Sequence, residues 1–428
     1  MNLLITGVDL ARSLARPGVL AVIMLLGFLQ AYSAGGDNTL HLITRIDHLD
    51  TLAREPMVVR HESGALFVAG YPSQVTGTDW TTPPLLWRSE NDGATWNRVD
   101  VGSTADGAQG NSDVDLTIGA DGTLYFLSMG FNRSTRAGTH IAVGVSHDVG
   151  ETWQWHMLSA TRFDDRPWIR VSPNGTVHVI WNDGGGVRHS TSPDSGDSWA
   201  EQESIHSAGG SSHLAVGPQG EIAVRISPIS ASANKYEAEV DFIAISRDDG
   251  QSWIKHPPPV SLSWDPTSDD PQKVPRWVEP LAWGVGHRLW HLWSEGAIVK
   301  LGWSDDYGES WQAQEIAHEE GVAFFPYMVA GATGQLAATW FVDDGENLAA
   351  RVALIGVPTV SDAQMTVSES ELFTISAYLE NTEKMVQTPA GEYLPVIFLP
   401  DGRLAVVSPV QDSNHDSWGF TWWTFGRQ

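Results

Sequence analysis

The chain contains no cysteine among its 428 residues. This absence excludes disulfide bonds, a lipidated N-terminal cysteine, thiolate zinc sites and cysteine-dependent catalysis. A sequence without cysteine fits a bacterial periplasmic or secreted protein better than a eukaryotic ectodomain, because ectodomains usually carry disulfides. We therefore expect a bacterial protein without disulfide bonds.

Basic residues are also scarce, with 25 Lys and Arg against 52 Asp and Glu, and the formal net charge is −27. A surface of this sign repels polyanions, which excludes nucleic acid as a partner. A small acidic ligand is still compatible with the sequence, provided that a few arginines converge in one pocket.

The sequence has little helix-like periodicity, and its N-terminal apolar run at residues 18–29 is short for a membrane span. Arg12 and Arg16 precede this run and small residues follow it up to Ala34, which is the order of an export signal. We expect residues 1–34 to be a signal peptide whose removal gives a periplasmic or secreted protein. The alternative is an uncleaved anchor, attached through residues 18–32 to the outer side of the inner membrane.

One eight-residue pattern, Ser-x-Asp-x-Gly-x-(Ser/Thr)-Trp, occurs five times, with Asn91 replacing Asp in the first copy. The copies end at Trp96, Trp153, Trp199, Trp253 and Trp311, which are 57, 46, 54 and 58 residues apart. A short carboxylate accepts hydrogen bonds from N–H groups of its own turn, and glycine supplies a positive φ. Each copy is therefore predicted to form a turn, and the spacing is typical of four-stranded propeller blades.

A second repeat consists of a short apolar strand, a glycine turn and another strand. Its turns are centred on Gly64, Gly122, Gly175, Gly220, Gly286, Gly334 and Gly402. Seven such hairpins predict seven blades of about 55 residues each, with six blades of about 65 as the alternative. The segment Leu40–Ile46 is expected to pair with the strand at 418–425 and so to close the ring.

The five copies resemble the Asp-box, or BNR repeat, of the sialidase-like β-propellers. This resemblance covers the chain from about Arg54 to its C-terminus and implies an all-β fold, with residues 40–428 forming one propeller. In that family the boxes lie on the rim, away from the active site. The resemblance therefore assigns the boxes a structural role.

The same resemblance implies a set of site residues. Sialidases bind the substrate carboxylate with three arginines, and they use a tyrosine nucleophile with a glutamate helper and an aspartate acid/base. Arg54, in the sequence Arg54-Glu55-Pro56, is similar to the arginine of the family's Arg-x-Pro element, and Arg351 is similar to a further arginine by its position after the sixth hairpin. Tyr393 is similar to the nucleophile, Glu279 to its helper and Asp79 to the acid/base.

The chain departs from the family pattern at the second arginine, whose position falls near Trp293. Arg276, three residues before Glu279, is a replacement only through a different geometry. Arg166 lies in an Asp-Arg-Pro-Trp sequence that is common in exported Asp-box proteins. It is expected either to face a ligand in the central channel or to form an ion pair with Asp164 or Asp165.

No histidine spacing indicates a metal site, and no phosphate-binding loop indicates a nucleotide cofactor. The segment Asn111–Asp115 offers oxygen ligands to calcium but lacks the form of an EF-hand loop. The absent arginine and the seventh blade favour a noncatalytic propeller that binds a glycan or a protein at the channel mouth, or an accessory subunit. The alternative is an exo-sialidase.

Overall fold

The computed structural model describes residues 39–47, 53–72, 82–230, 235–236, 240–260, 278–358, 365–376, 391–411 and 418–427. In these residues, seven four-stranded antiparallel sheets form a ring, which is a seven-bladed β-propeller. The sequence-based predictions of an all-β fold and of seven blades are therefore confirmed. The helical residues of the described part form two short 3-10 turns, Thr104–Asp106 and Val285–His287.

The strands of blades one to four follow one another along the chain. Blade one comprises β2 (Ala53–Arg60), β3 (Leu66–Pro72), β4 (Leu85–Ser89) and β5 (Asn97–Arg98). Blade two comprises β6 (Ser112–Ile118), β7 (Leu124–Asn132), β8 (Ala137–Ser146) and β9 (Gln154–Ser159). Blade three comprises β10 (Asp165–Val171), β11 (Val177–Asn182), β12 (Val187–Ser192) and β13 (Ala200–Glu201). Blade four comprises β14 (Gly210–Val216), β15 (Ile222–Ser227), β18 (Phe242–Ser246) and β19 (Ile254–His256), with a small hairpin of β16 (Ile229–Ser230) and β17 (Lys235–Tyr236) between β15 and β18.

The last three blades complete the ring, and the seventh takes its outermost strand from the start of the chain. Blade five comprises β20 (Leu281–Trp283), β21 (Leu289–Glu295), β22 (Ile298–Ser304) and β23 (Gln312–His318). Blade six comprises β24 (Val322–Ala330), β25 (Leu336–Asp343), β26 (Asn347–Gly356) and β27 (Thr366–Ser376). Blade seven comprises β28 (Val396–Phe398), β29 (Leu404–Gln411), β30 (Trp418–Gly426) and β1 (His41–Asp47).

Strand β1 closes the ring by pairing antiparallel with the C-terminal strand β30, with Ile46 opposite Trp422. This pairing confirms the prediction made from the alternating pattern of residues 40–46. It also covers an edge of β30 that would otherwise expose unpaired N–H and C=O groups. The two ends of the propeller are thus held in a single sheet.

The second strand of each blade is a nearly continuous apolar run, because neighbouring blades cover both of its faces. Phe67 and Val68 in β3, and Val179 and Ile180 in β11, are 0% exposed. The first strands contact one another around the ring and line its axis. Packing between blades therefore supplies the core, and the first strands position the side chains that face the channel.

The five tryptophan repeats form the turns between the third and fourth strands of blades one to five. In the fifth repeat, Asp306 accepts hydrogen bonds from Ser304 Oγ at 2.8 Å, from Ser310 N at 2.9 Å and from Ser310 Oγ at 2.5 Å. Asn91 makes the equivalent contacts with Ser89 and Thr95 in the first repeat. The repeats are thus self-contained turns.

The repeats also connect neighbouring blades. Ser195, in the repeat of blade three, donates to Asp121 in blade two at 2.8 Å. Gly93, in the repeat of blade one, lies against the buried Trp422 of blade seven, so closely that an added Cβ would overlap the indole ring. Each of these contacts fixes the position of one blade relative to the blade before it.

The two faces of the ring differ because successive strands are antiparallel. The glycine turns between the first and second strands lie on the same face as the tryptophan repeats. The first strands begin on the opposite face, and the end of the channel at that face is called the mouth below. Its residues are Arg54, Glu55, Tyr71, Asp113, Asp165, Arg166, Glu392 and Tyr393.

In the described part of the chain, no helix has the length and apolar character required to cross a membrane. Residues 1–38 lie outside that part. Cleavage of the leader, anchoring through residues 18–32 and export of the protein therefore stay predictions of the sequence.

Candidate functional site at the channel mouth

The first strands begin with an irregular backbone that turns side chains towards the mouth. The register with the second strand shifts between Arg54 and Met57 in β2, between Ser112 and Val114 in β6 and between Asp165 and Trp168 in β10. Such bulges redirect a side chain and are frequent at functional sites. Glu55, Asp113 and Arg166 lie between the paired residues where the register changes.

The register of β24 also shifts, between Phe324 and Tyr327. The bulges of β2, β10 and β24 each contain a left-handed residue that is followed by proline. The φ angles are 50° at Glu55, 49° at Arg166 and 45° at Phe325. A residue other than glycine in this region carries strain of about 1–3 kcal/mol. The contacts around each side chain must offset this cost, and at Glu55 and Arg166 those contacts are electrostatic.

Arg166 and Glu392 form a two-point ion pair between blade three and the segment that leads into blade seven. Arg166 Nη2 donates to Glu392 Oε1 at 3.0 Å and to Oε2 at 2.7 Å. The side chains are only 15% and 17% exposed. Burial lowers the pKa of Arg166, but the negative charges of Glu392 and of other acidic neighbours outweigh burial and raise it. Arg166 is therefore a fixed cation at the mouth.

The carboxyl groups of Glu55 and Asp165 bind protons more tightly than usual. Burial, followed by the charges of Asp113 and Glu392, raises the pKa of Glu55 well above its ordinary value. Burial and the charge of Asp113 raise the pKa of Asp165 to about 7. The mouth thus combines two carboxyl groups that bind protons more tightly than usual with the carboxylate of Glu392, which accepts hydrogen bonds from Arg166.

Two tyrosines border this acidic cluster. Tyr71 lies opposite Arg54 in the pairing of β3 with β2 and is 6% exposed. Tyr393 is 3% exposed, and its ring contacts that of Trp168 edge-on at a centroid distance of 5.4 Å. Burial is the largest cause that raises the pKa of both phenols. Both groups are therefore neutral hydroxyls over the ordinary pH range.

A second polar layer fills the channel farther along the first strands. Asp115 accepts hydrogen bonds from Arg170 Nη1 at 2.6 Å and from Ile169 N at 3.0 Å. Tyr327 Oη lies 3.9 Å from Met57 Sδ, and burial raises the pKa of Tyr327 to about 12. These side chains of blades one, two, three and six meet below the mouth and fill the channel there.

Glu279 lies in a different environment, between blades four and five. It is 1% exposed and accepts a hydrogen bond from Arg225 Nε at 2.8 Å. Arg225 is 0% exposed and also pairs with Asp241 at 2.5 Å, while His291 Nε2 lies 3.3 Å from Glu279. The acidic groups that contribute most to the raised pKa of Tyr393 are Asp113, Glu392 and Glu55, and Glu279 is not one of them. The described contacts of Glu279 are thus those of a buried ion-pair network.

Arg351 is on β26, the third strand of blade six, rather than on a first strand. Its Nη1 donates to Glu371 at 2.8 Å, and its Nε lies 3.4 Å from Glu319. Asp79 and Arg276 lie outside the described residues. The structure therefore gathers Arg54, Arg166 and Tyr393 at the mouth. It holds Arg351 in ion pairs with Glu371 of its own blade and with Glu319, which lies between blades five and six.

The calcium candidate, Asn111–Asp115, is largely occupied by protein contacts. Asn111 Oδ1 accepts from Phe131 N at 2.7 Å and Nδ2 donates to Phe131 O at 3.1 Å. Asp115 is bound to Arg170 as described above. No group of three or more acidic or histidine side chains in the described residues is arranged to hold a metal ion. Calcium binding stays an untested prediction.

Three mouth residues were not proposed as ligand contacts from the sequence: Glu55, Asp165 and Glu392. Asp113 was named only within the calcium candidate Asn111–Asp115. Glu55 and Asp165 lie within the Arg-Glu-Pro and Asp-Arg-Pro sequences that drew attention to their arginines. The sequence signal that could have identified Glu55 and Asp165 is the repeated occurrence of polar residues followed by proline at the start of a first strand. Glu392 carries no such signal beyond its position next to Tyr393.

No protein-family model matches the chain, and no curated protein matches it. Among solved structures, the chain is similar to an α-L-arabinanase from Penicillium chrysogenum in complex with arabinobiose, at 15% identity and a TM-score of 0.46, over 77% of this chain and 98% of the other. A mutant α-L-arabinofuranosidase from Fusarium graminearum matches at 10% identity and a TM-score of 0.49, over 90% and 98%. A mutant NanB sialidase from Streptococcus pneumoniae matches at 12% identity and a TM-score of 0.44, over 93% and 72%. The strand order of the chain makes it a seven-bladed β-propeller, and its structural neighbours include sialidase and arabinanase propellers.

Proposed function

We propose that this protein is a noncatalytic glycan-binding propeller whose mouth receives an uncharged sugar. The observation that carries this proposal is the composition of the mouth. Four carboxyl groups and two guanidinium groups converge there, and Arg166 is already paired with Glu392 at 2.7 and 3.0 Å. Carboxylates accept hydrogen bonds from sugar hydroxyls, whereas an anionic sugar needs guanidinium groups that are open to it.

The partial burial of the mouth supports binding of a small hydroxyl-rich group. Asp113, Asp165, Arg166 and Glu392 are half-buried, and Glu55 is 8% exposed. Polar groups with restricted access to water gain more from a ligand hydrogen bond than fully exposed ones do. The buried rings of Trp168 and Tyr393, which contact each other edge-on beside these polar groups, restrict the movement of the groups.

Hydrolysis of an uncharged glycoside is a second candidate function, and the carboxyl groups supply a specific observation in its favour. Glycosidases pair a protonated carboxylic acid with an ionised carboxylate. The raised pKa of Glu55 and of Asp165 beside Asp113 is of this type. The tyrosine mechanism is less favoured, because burial raises the pKa of Tyr393 and so opposes formation of the nucleophilic phenolate.

The two candidates are separated by binding and turnover measurements on the same glycans. Wild-type protein is applied to an array of uncharged and acidic glycans at pH 7, and each bound glycan is then tested for release of reducing sugar. We expect binding of uncharged glycans, a loss of at least about tenfold in affinity in Asp113→Asn, and no hydrolysis.

Asp197→Asn provides the control, since Asp197 is exposed and belongs to the repeat of blade three on the opposite face. Hydrolysis that disappears in Asp165→Asn would establish the enzyme instead. Equal glycan affinity in wild type and Asp113→Asn would show that the glycan does not bind at the mouth.

A further inference from the structure

The ion pair between Arg166 and Glu392 crosses the mouth, although the two residues are 226 positions apart in the chain. Arg166 comes from the bulge of β10 in blade three, and Glu392 precedes β28 in blade seven. The glutamate segment is held closely in place on its other side as well. Gly391 packs so tightly on Glu55 that an added Cβ would overlap the glutamate side chain. Glu392 is thus held in the mouth by contacts with two other blades.

A guanidinium group and a carboxylate match each other in shape as well as in charge, because two N–H groups meet two oxygens. Here one N–H-bearing nitrogen of Arg166 reaches both oxygens of Glu392. The carboxylate of an acidic sugar would seek the same donors. Glu392 therefore occupies the place that such a ligand would need on this arginine.

The remaining acidic groups around Arg166 act in the same direction where they are ionised, and Arg54 is the other cation among the described mouth residues. Asp165 and Asp113 contribute to the raised pKa of Arg166 together with Glu392, and Glu55 carries the next carboxyl group of the mouth. An incoming anion would displace Glu392 and then lie among these acidic groups. Repulsion of this kind is a common way to exclude the wrong ligand.

We propose that Glu392 determines the charge class of the ligand: it neutralises Arg166 from within the protein, admits uncharged sugars and excludes sugars that carry a carboxylate. This inference rests on the proposed function of the mouth as a glycan-binding site. It predicts that removal of one negative charge, with the shape of the side chain retained, converts the mouth into a site for acidic sugars.

The test uses Glu392→Gln and two probes, D-galactose and D-galacturonic acid, which differ by one carboxylate. The glutamine carbonyl still accepts a hydrogen bond from Arg166, so the variant loses charge more than structure. Titration calorimetry at pH 7 is expected to show galacturonic acid bound at least about tenfold more tightly by Glu392→Gln than by wild type. Thermal unfolding measured by circular dichroism establishes that the variant is folded.

Two further variants control the test. Glu371→Gln removes the same charge from the Arg351 pair in blade six, where Glu371 is 52% exposed, and is expected to leave the binding of both probes unchanged. Glu392→Asp retains the charge and is expected to exclude galacturonic acid as wild type does. If Glu392→Asp gains galacturonic acid binding, side-chain length rather than charge is responsible and the inference is wrong.

The inference and the proposed function fail in different ways. If Glu392→Gln does not bind galacturonic acid more tightly than wild type, the role of Glu392 is overturned, whatever wild type does with galactose. If wild type binds no uncharged glycan on the array but Glu392→Gln gains affinity for galacturonic acid, the proposed function fails. The inference that Glu392 neutralises Arg166 and excludes acidic sugars is then still supported. Equal gains in Glu392→Gln and Glu371→Gln would show a general charge effect and overturn the inference.

Discussion

Asp165 lies beside Asp113 at the channel mouth, and the charge of Asp113 adds to burial in raising the pKa of Asp165 to about 7. In an unfolded chain the same group has a pKa near 3.8. The folded protein therefore holds this proton more tightly than the unfolded chain does. The resulting stabilisation is complete below about pH 4 and is lost as the pH rises through about 7.

Replacement of Asp165 by asparagine, which resembles the protonated acid, should reduce the pH dependence of stability. We expect the free energy of unfolding to fall less between pH 5 and pH 8 in Asp165→Asn than in wild type. Urea unfolding at the two pH values measures the difference. The net charge of −27 also makes the whole protein less stable at high pH, so a second variant with one charge fewer is required.

Glu371→Gln serves as that control, because the side chain of Glu371 is 52% exposed and its partner is an arginine, which does not titrate in this pH range. It should retain the pH dependence of wild type. An equal change of slope in both variants would mean that overall charge, rather than the environment of Asp165, is responsible.

Glu279→Gln should destabilise the protein strongly, because it removes a partner from the completely buried Arg225. Loss of one member of a buried ion pair typically costs about 3–5 kcal/mol. The remaining partner, Asp241, places the expected loss near the lower end of that range. Chemical denaturation measures the free energy of unfolding.

Glu371→Gln is the matched substitution for this measurement, since it also removes a carboxylate from an arginine, but at a site where Glu371 is 52% exposed. Its expected cost is about 0–1 kcal/mol. Similar costs in the two variants would contradict the description of Glu279 as part of a buried network.

Two glycines with nearly equal φ angles allow the cost of backbone strain to be measured separately from the cost of overpacking. Gly175, with φ at 91°, has no atom within 4 Å of the position that an added methyl group would take, whereas Gly93, with φ at 86°, faces Trp422. Gly175→Ala should cost about 1–2 kcal/mol from backbone strain alone. Gly93→Ala should cost about 1–3 kcal/mol more because of overpacking. Equal melting temperatures in the two variants would show that the repeat does not fix blade one against blade seven.

The acidic position of the tryptophan repeats needs an oxygen acceptor more than it needs a charge. Asp306→Ala removes the acceptor for Ser304 and Ser310 and should cost about 0.5–2 kcal/mol, as for other side chains that cap backbone N–H groups. Asp306→Asn should cost less, because Asn91 makes the same contacts in the first repeat. The melting temperatures of the two variants show which is more stable. An asparagine variant as unstable as the alanine variant would contradict this account.

The fold was predictable from the sequence because its signals are local. A glycine turn such as that at Gly64 requires positive φ wherever it occurs, and seven similar turns at nearly regular spacing define seven blades. The closing pair, β1 and β30, followed from the alternating residues at the two ends of the propeller. None of these predictions required knowledge of contacts between distant residues.

The mouth was only partly predictable because its chemistry depends on such distant contacts. Arg54, Arg166 and Tyr393 were named from local motifs, and all three lie there. Glu392 acquires its role from a pairing across 226 residues, and the raised pKa of Glu55 depends on burial. Position in the chain likewise gives no indication that Glu279 lies against Arg225.

Calorimetric titration of an array-selected uncharged glycan at pH 7, into wild type and into Asp113→Asn, tests the central claim most directly. The account predicts binding by wild type and an affinity lower by at least about tenfold in the variant, with both proteins equally folded. Equal affinity in the two proteins, or binding only of acidic glycans by wild type, would contradict it.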